Sequence, residues 1–138
     1  MAQKLSKAYL LTKVLTASRH EVIVYLYEGA ISYLHRAAQA LRDQRHGHAA
    51  RHVQRAISIL IELSGGLDYS RGGHLALRLE AVYNHLIESL TLAAANADLE
   101  AVESCSGILS ILHDAWRQAS QMEHDMAATA DHALRISA

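Results

Sequence analysis

The 138-residue chain has no proline, no phenylalanine, one tryptophan and one cysteine. Without proline, nothing breaks a helix by ring clash or a missing N–H. The single thiol, Cys105, excludes an intramolecular disulfide framework and fits a reducing compartment. An excess of charge is also missing: 13 Lys and Arg stand against 14 Asp and Glu, a formal charge of −1. That balance excludes a nucleic-acid binder working by bulk electrostatics. Long apolar runs are absent too; a stretch such as residues 22–27 is far too short to enter and span a bilayer, so no membrane insertion is expected. Lys4, Lys7 and Lys13 are scattered with no uninterrupted apolar segment after them, so no cleaved signal peptide is expected and the cytoplasm is the expected location.

What is present is a folding composition. Apolar residues make up 51% and charged residues 20%, which excludes a disordered chain. Ala and Leu dominate and favour helix. The length suits one domain with a core that needs no staples. Four amphipathic helices follow from period and punctuation. Ser18 and Glu21 form a capping box, after which Ile23, Tyr27, Ala30, Leu34, Ala37 and Leu41 recur at three- and four-residue steps. The first helix is expected to end in a polar loop, Asp43 through His48. The second carries Ala49, Val53, Ala56, Ile57, Leu60, Leu63 and Leu67, with fraying at Gly65 and Gly66. The clearest turn is expected at Ser70-Arg71-Gly72-Gly73. The third carries Leu75, Leu79, Val82, Tyr83, Leu86 and Leu90 and ends near Asn96. Asp98 is the expected N-cap of the fourth, with Val102, Cys105, Ile108, Leu109, Leu112 and Trp116 on its stripe. Helices of about 20–25 residues with short connections imply an all-α, antiparallel up-down four-helix bundle. The expected organisation is an N-terminal arm (1–17), the bundle (18–119) and a tail (120–138) that either prolongs the last helix or is mobile.

Catalytic signatures are missing. No Walker loop, GxGxxG or GxSxG elbow occurs. A di-metal bundle needs Glu-x-x-His to aim two ligands inward from one helix, and no Glu has His three residues on. His46, His48 and His52 could share a Zn²⁺ ion, but Arg45 and Arg51 beside them oppose a cation, and a solvated loop is the expected state. His74 and His85 are expected at the surface, and Cys105 and Trp116 in the core. Neither enzyme activity nor a cofactor or metal is expected. Apolar residues do exceed one seam: Val24, Ile31, Ile59, Ile61, Ile87 and Leu92 are surplus, either a wide core stripe or a groove for another chain.

An ordered set of segments carries a resemblance. Ala8-Tyr9, Thr16-Ala17-Ser18 and Leu26-Tyr27-Glu28-Gly29-Ala30 open it. Arg55-Ala56-Ile57, Leu67-Asp68 and Gly72-Gly73-His74-Leu75-Ala76 follow. Leu79, Val82-Tyr83, Leu86, Leu90, Asp98, Gly107, Leu109 and Asp114-Ala115-Trp116 complete it. The set resembles the flagellar export chaperone family, FliS, over about residues 8–120. Arg19, Tyr25, Glu28 and Ala94 stand where that family usually has Pro, Met, Asp and Asn.

The resemblance implies a helical bundle that binds the disordered C-terminal segment of flagellin in the cytosol, prevents premature polymerisation and assists delivery to the flagellar type III export apparatus. Export-gate components are further implied partners, and the sequence leaves open a homodimer in the free state. Ordering a disordered client has an entropic cost that buried apolar area must exceed. The client groove is therefore expected at the arm, around Tyr9, and at helices two and three, through Ile57, Ile61, Tyr83 and Ile87. Ile61 follows Ile57 by about one turn, and Ile87 follows Tyr83 by the same step. The alternatives are another helical secretion chaperone or adaptor with a different client, or a metal-binding bundle, against which the missing Glu-x-x-His argues.

Overall fold

The structure, a computed structural model, describes residues 19–137. Tyr9 and the Ser18 half of the capping box lie outside them. Four helices, and no strand among the described residues, make up the chain: α1 (Arg19–Arg42), α2 (His46–Gly65), α3 (Tyr69–Asn96) and α4 (Leu99–Ser137). The fourth runs for 39 residues because helix continues through the Ala-rich tail, the first of the two alternatives for residues 120–138. Two compact units result. One is Leu26–His113; the other combines residues 19–25 and 114–137.

Within Leu26–His113 all four helices face one core. Tyr27, Ala30, Leu34 and Ala37 come from α1, and Val53, Ala56, Leu60 and Leu63 from α2. Leu79, Tyr83, Leu86 and Leu90 come from α3, and Val102, Cys105 and Leu109 from α4. The steps of three and four residues put each set on one helix face. Gly29 lets α1 approach α2 closely: a Cβ added there would sit 3.3 Å from Ile59 Cδ1. That pair, with Tyr33 stacked on His52, matches early α1 with late α2, so the two run antiparallel. Glu28 with His113 and Arg42 with Glu103 set α1 against α4 in the same sense. In the other unit His20 meets Trp116 edge-on, ring centres 5.6 Å apart; Trp116 is half-buried.

The connections differ from expectation in two places. Only Asp43, Gln44 and Arg45 separate α1 from α2, so His46 and His48 lie in the first turn of a helix and not in a loop. Gln44, at φ 59°, closes α1 by letting the Arg45 N–H reach the Ala40 carbonyl at 2.8 Å. The second break falls earlier than Ser70–Gly73. Gly66 caps α2, and Asp68 starts α3 by accepting from the Ser70 and Arg71 N–H groups at 3.1 and 3.2 Å. These hydrogen bonds hold the Asp68 carboxyl below its usual pKa, the Ser70 hydroxyl contributing most. Tyr69 to Gly72 then form one helical turn, closed by the Gly72 N–H on the Asp68 carbonyl at 2.7 Å. Gly73 (φ 50°, ψ −123°) kinks the helix before it continues, a conformation open to glycine and strained for other residues. Asp98 does cap α4, accepting from the Ala101 N–H at 3.1 Å.

Candidate functional site

The α2–α3 hairpin supplies the candidate site. Its core face is anchored by a polar contact that the sequence reading missed: the hydroxyls of Tyr27 and Tyr83 hydrogen-bond at 2.5 Å in the interior. Tyr83 is 1% exposed. Burial first, and the Tyr27 hydroxyl second, push its phenol well above the usual tyrosine range. Two tyrosines thus do in this core what phenylalanine does elsewhere, with their polar tips satisfying each other.

The four expected hairpin residues separate by depth. Ile57 and Tyr83 are core, at 6% and 1% exposed, whereas Ile61 is 56% exposed and Ile87 is half-buried. Four residues advance a helix by about 400°, leaving a turn of about 40° between partners one step apart. That turn rotates Ile61 off the core face that holds Ile57, and Ile87 off the one that holds Tyr83. Tyr9 lies outside the described residues.

The structure adds apolar surface on the same hairpin. Leu75, expected on the core stripe, is 60% exposed, and Leu77 is 55% exposed. Ala76 takes the inward position on this turn of α3, in step with Leu79 and Tyr83, so Leu75 and Leu77, each one residue and about 100° from it, face outward. Tyr69 is exposed and its hydroxyl hydrogen-bonds Glu80 across the kink, which raises the Tyr69 pKa. Leu92 on α3, noted as surplus, and Ile111 on α4 are exposed as well.

Elsewhere a cavity of about 350 Å³ opens between α1 and α4, lined by His35, Ala38, Ser106, Gly107 and Ser110. The Arg42–Glu103 ion pair, at 2.6 Å, belongs to the same lining. His46 and His48 are exposed and His52 is half-buried. No group of three or more metal-ligating side chains occurs among the described residues. Burial raises the pKa of Cys105, which keeps it a neutral core thiol. His74 and His85 are at the surface. No described helix is long and apolar enough to cross a membrane.

The family described as Flagellar protein FliS matches residues 1–123. Among individual proteins, the chain is similar to the flagellar secretion chaperone FliS of Salmonella typhimurium, with 35% identity over 108 residues, 78% of this chain and 80% of that protein. The Bacillus subtilis flagellar secretion chaperone FliS is 28% identical over 116 residues, 84% of this chain and 86% of that one. Among solved structures, the crystal structure of a flagellar chaperone from bacteria matches with a TM-score of 0.71 at 15% identity, over 88% of this chain and 98% of the other. That last likeness concerns the fold.

Proposed function

The chain belongs to the FliS family of flagellar secretion chaperones, and from that premise we propose that it binds the disordered C-terminal segment of flagellin. It holds that segment in the cytosol, prevents its premature polymerisation and assists its delivery to the flagellar type III export apparatus. The work is done by binding, without catalysis or cofactor.

The observation that supports this reading beyond family membership is the exposed apolar surface of the α2–α3 hairpin. Ile61, Leu75 and Leu77 stand open to solvent, Ile87 is half-open, and rows of core side chains support them from below. A disordered client gives up about 1–2 kcal/mol of backbone entropy per residue ordered. Only a large apolar contact, roughly 1,000 Å² or more in total, offsets that. A rigid helical hairpin with unburied leucines and isoleucines supplies such a template, and a client segment lies along it as an amphipathic helix or an extended string. Ile61 and Ile87 are the contact positions, Ile57 and Tyr83 form the support beneath them, and Tyr9 of the arm contributes from outside the described residues.

The test is capture of purified flagellin by the full chain, beside flagellin lacking its C-terminal segment. Capture of the intact protein alone is the expected result. Equal capture of both, or of neither, contradicts the assignment and favours a secretion chaperone or adaptor with another client.

A further inference from the structure

The first two helices segregate charge in a way that the apolar contact proposed above does not use. Between Gly29 and Ile61 the chain carries Arg36, Arg42, Arg45, Arg51 and Arg55 against a single carboxylate, Asp43. Over the whole chain the two signs nearly balance. Arg42 is paired with Glu103. Arg36, Arg51 and Arg55 are exposed, and none has a carboxylate within ion-pair distance among the described residues.

These cations are gathered, not scattered. The Arg36 and Arg55 guanidinium carbons lie 5.5 and 5.8 Å from the centre of the Tyr33 ring. His52 stacks on the same ring at 6.2 Å with 26° between planes. Tyr33 therefore draws one arginine from each helix to a shared point through cation–π attraction. On α2, His48, Arg51 and Arg55 recur at steps of three and four, which places them on one face over about 10 Å. The N-terminus of α2 adds to the same sign: Arg45 makes no side-chain cap and the first turn holds no acidic residue. The field registers at His52. Burial lowers its pKa most, and Arg36 from α1 with Arg55, His48 and Arg51 from α2 each lower it further, with no carboxylate opposing them.

Like charges held together repel unless an anion lies among them. We propose that this α1–α2 face is a docking surface for an acidic peptide segment of a partner protein, whose carboxylates pair with Arg36, Arg51 and Arg55. Guanidinium forks match carboxylates in bidentate geometry, and glutamates at i, i+3 and i+7 of a helix repeat the spacing of His48, Arg51 and Arg55 along α2, with Arg36 gathered beside Arg55 at Tyr33. A nucleic acid fits less well. His52 and two guanidinium groups already crowd the half-buried Tyr33 ring, which leaves less of it for a base to stack on. Three arginines also release few counterions.

The test uses the full chain and a helical peptide with glutamates at i, i+3 and i+7, beside a twin with glutamines there. Binding is read by fluorescence anisotropy, and the His52 ring resonance by NMR across pH. The glutamate peptide is expected to bind and to raise the His52 pKa, because nearby carboxylates favour the imidazolium. Its affinity should fall as added salt shortens the Debye length from about 30 to about 8 Å. R36E/R55E should lose about tenfold or more in affinity, and the milder R36Q and R55Q part of that. R78E, on exposed α3 surface, should lose nothing. Melts of each variant establish folding. The proposal is overturned if the glutamine twin binds equally, if neither peptide binds, or if folded R36E/R55E or R36Q and R55Q bind as the wild type does. It is overturned too if a single-stranded oligonucleotide binds more tightly through the same arginines.

Discussion

Replacing Tyr27 with Phe removes one member of a buried hydroxyl pair while keeping the ring. Its partner, the Tyr83 hydroxyl, lies 2.5 Å away in the interior, out of reach of solvent. Ring volume is unchanged, so no cavity opens and the loss comes from stranding the Tyr83 hydroxyl, about 1–3 kcal/mol. Adding Tyr83→Phe to Tyr27→Phe removes the stranded group. Replacing both members of a buried pair with apolar groups is close to neutral, so the double variant should regain most of what Tyr27→Phe lost. The two substitutions should then be non-additive by about 1–2 kcal/mol. Urea unfolding followed by far-UV circular dichroism measures each midpoint, with an unchanged slope indicating the same unfolded state. If the double variant instead loses the sum of the singles, or more than Tyr27→Phe alone, the hydroxyls are not paired in the folded protein. The same pair predicts alkaline behaviour. The fold holds the Tyr83 proton above the pH at which the unfolded chain releases it, about 10. Stability therefore falls as pH rises past that value, and Tyr83→Phe should flatten the fall.

Backbone conformation gives two substitutions of opposite sign. Gly73→Ala should cost about 1–3 kcal/mol because φ is 50° and ψ −123° there, whereas Ala97→Gly should gain about 1 kcal/mol because Ala97 closes α3 at φ 51°, both read from thermal melts. His52 ties stability to acid: its pKa is lowered in the fold, so the unfolded chain takes the proton first, and stability is lost as pH falls below about 6.5. The gap in melting temperature between wild type and His52→Gln should accordingly narrow between pH 8 and pH 5 (about those values), and a constant gap would refute the link. Leu60→Ala, at a fully buried position, should cost about 2–5 kcal/mol of fold stability. Ile61→Ala and Ile87→Ala should melt nearly as the wild type does and weaken flagellin binding by about 1–3 kcal/mol each, by calorimetric titration; variants that unfold while the folded remainder binds normally would place the groove elsewhere.

The fold was legible where periodicity and capping chemistry agree. Leu34 and Leu60 recur on apolar stripes too regular to be accidental, and Asp98 announces a helix start by its side chain alone. The Gly72–Gly73 pair pointed to the right neighbourhood for a break, but the chain turns at Gly66 and Asp68 and only kinks at Gly73. Glycines permit a turn without requiring one, and the Asp68 cap decided the outcome. His46 and His48 read as loop because polar, glycine-containing segments generally are; the left-handed Gln44 instead ends α1 early enough for both to join α2. The site was less legible. Ile57 and Ile61 look equivalent in a three-four pattern, and the rotation of about 40° that separates core from surface is smaller than that pattern resolves. The Tyr27–Tyr83 and Tyr33–Arg55 contacts join residues far apart in sequence, and only the packed helices bring them together.

The most direct test of the proposed role is calorimetric titration of the full chain with a peptide of the flagellin C-terminal segment, at several temperatures. Saturable one-to-one binding is expected, with a negative heat-capacity change of the size that burying roughly 1,000 Å² or more produces. No binding of this peptide, or a heat-capacity change near zero, would contradict capture of the segment on the apolar surface of α2 and α3.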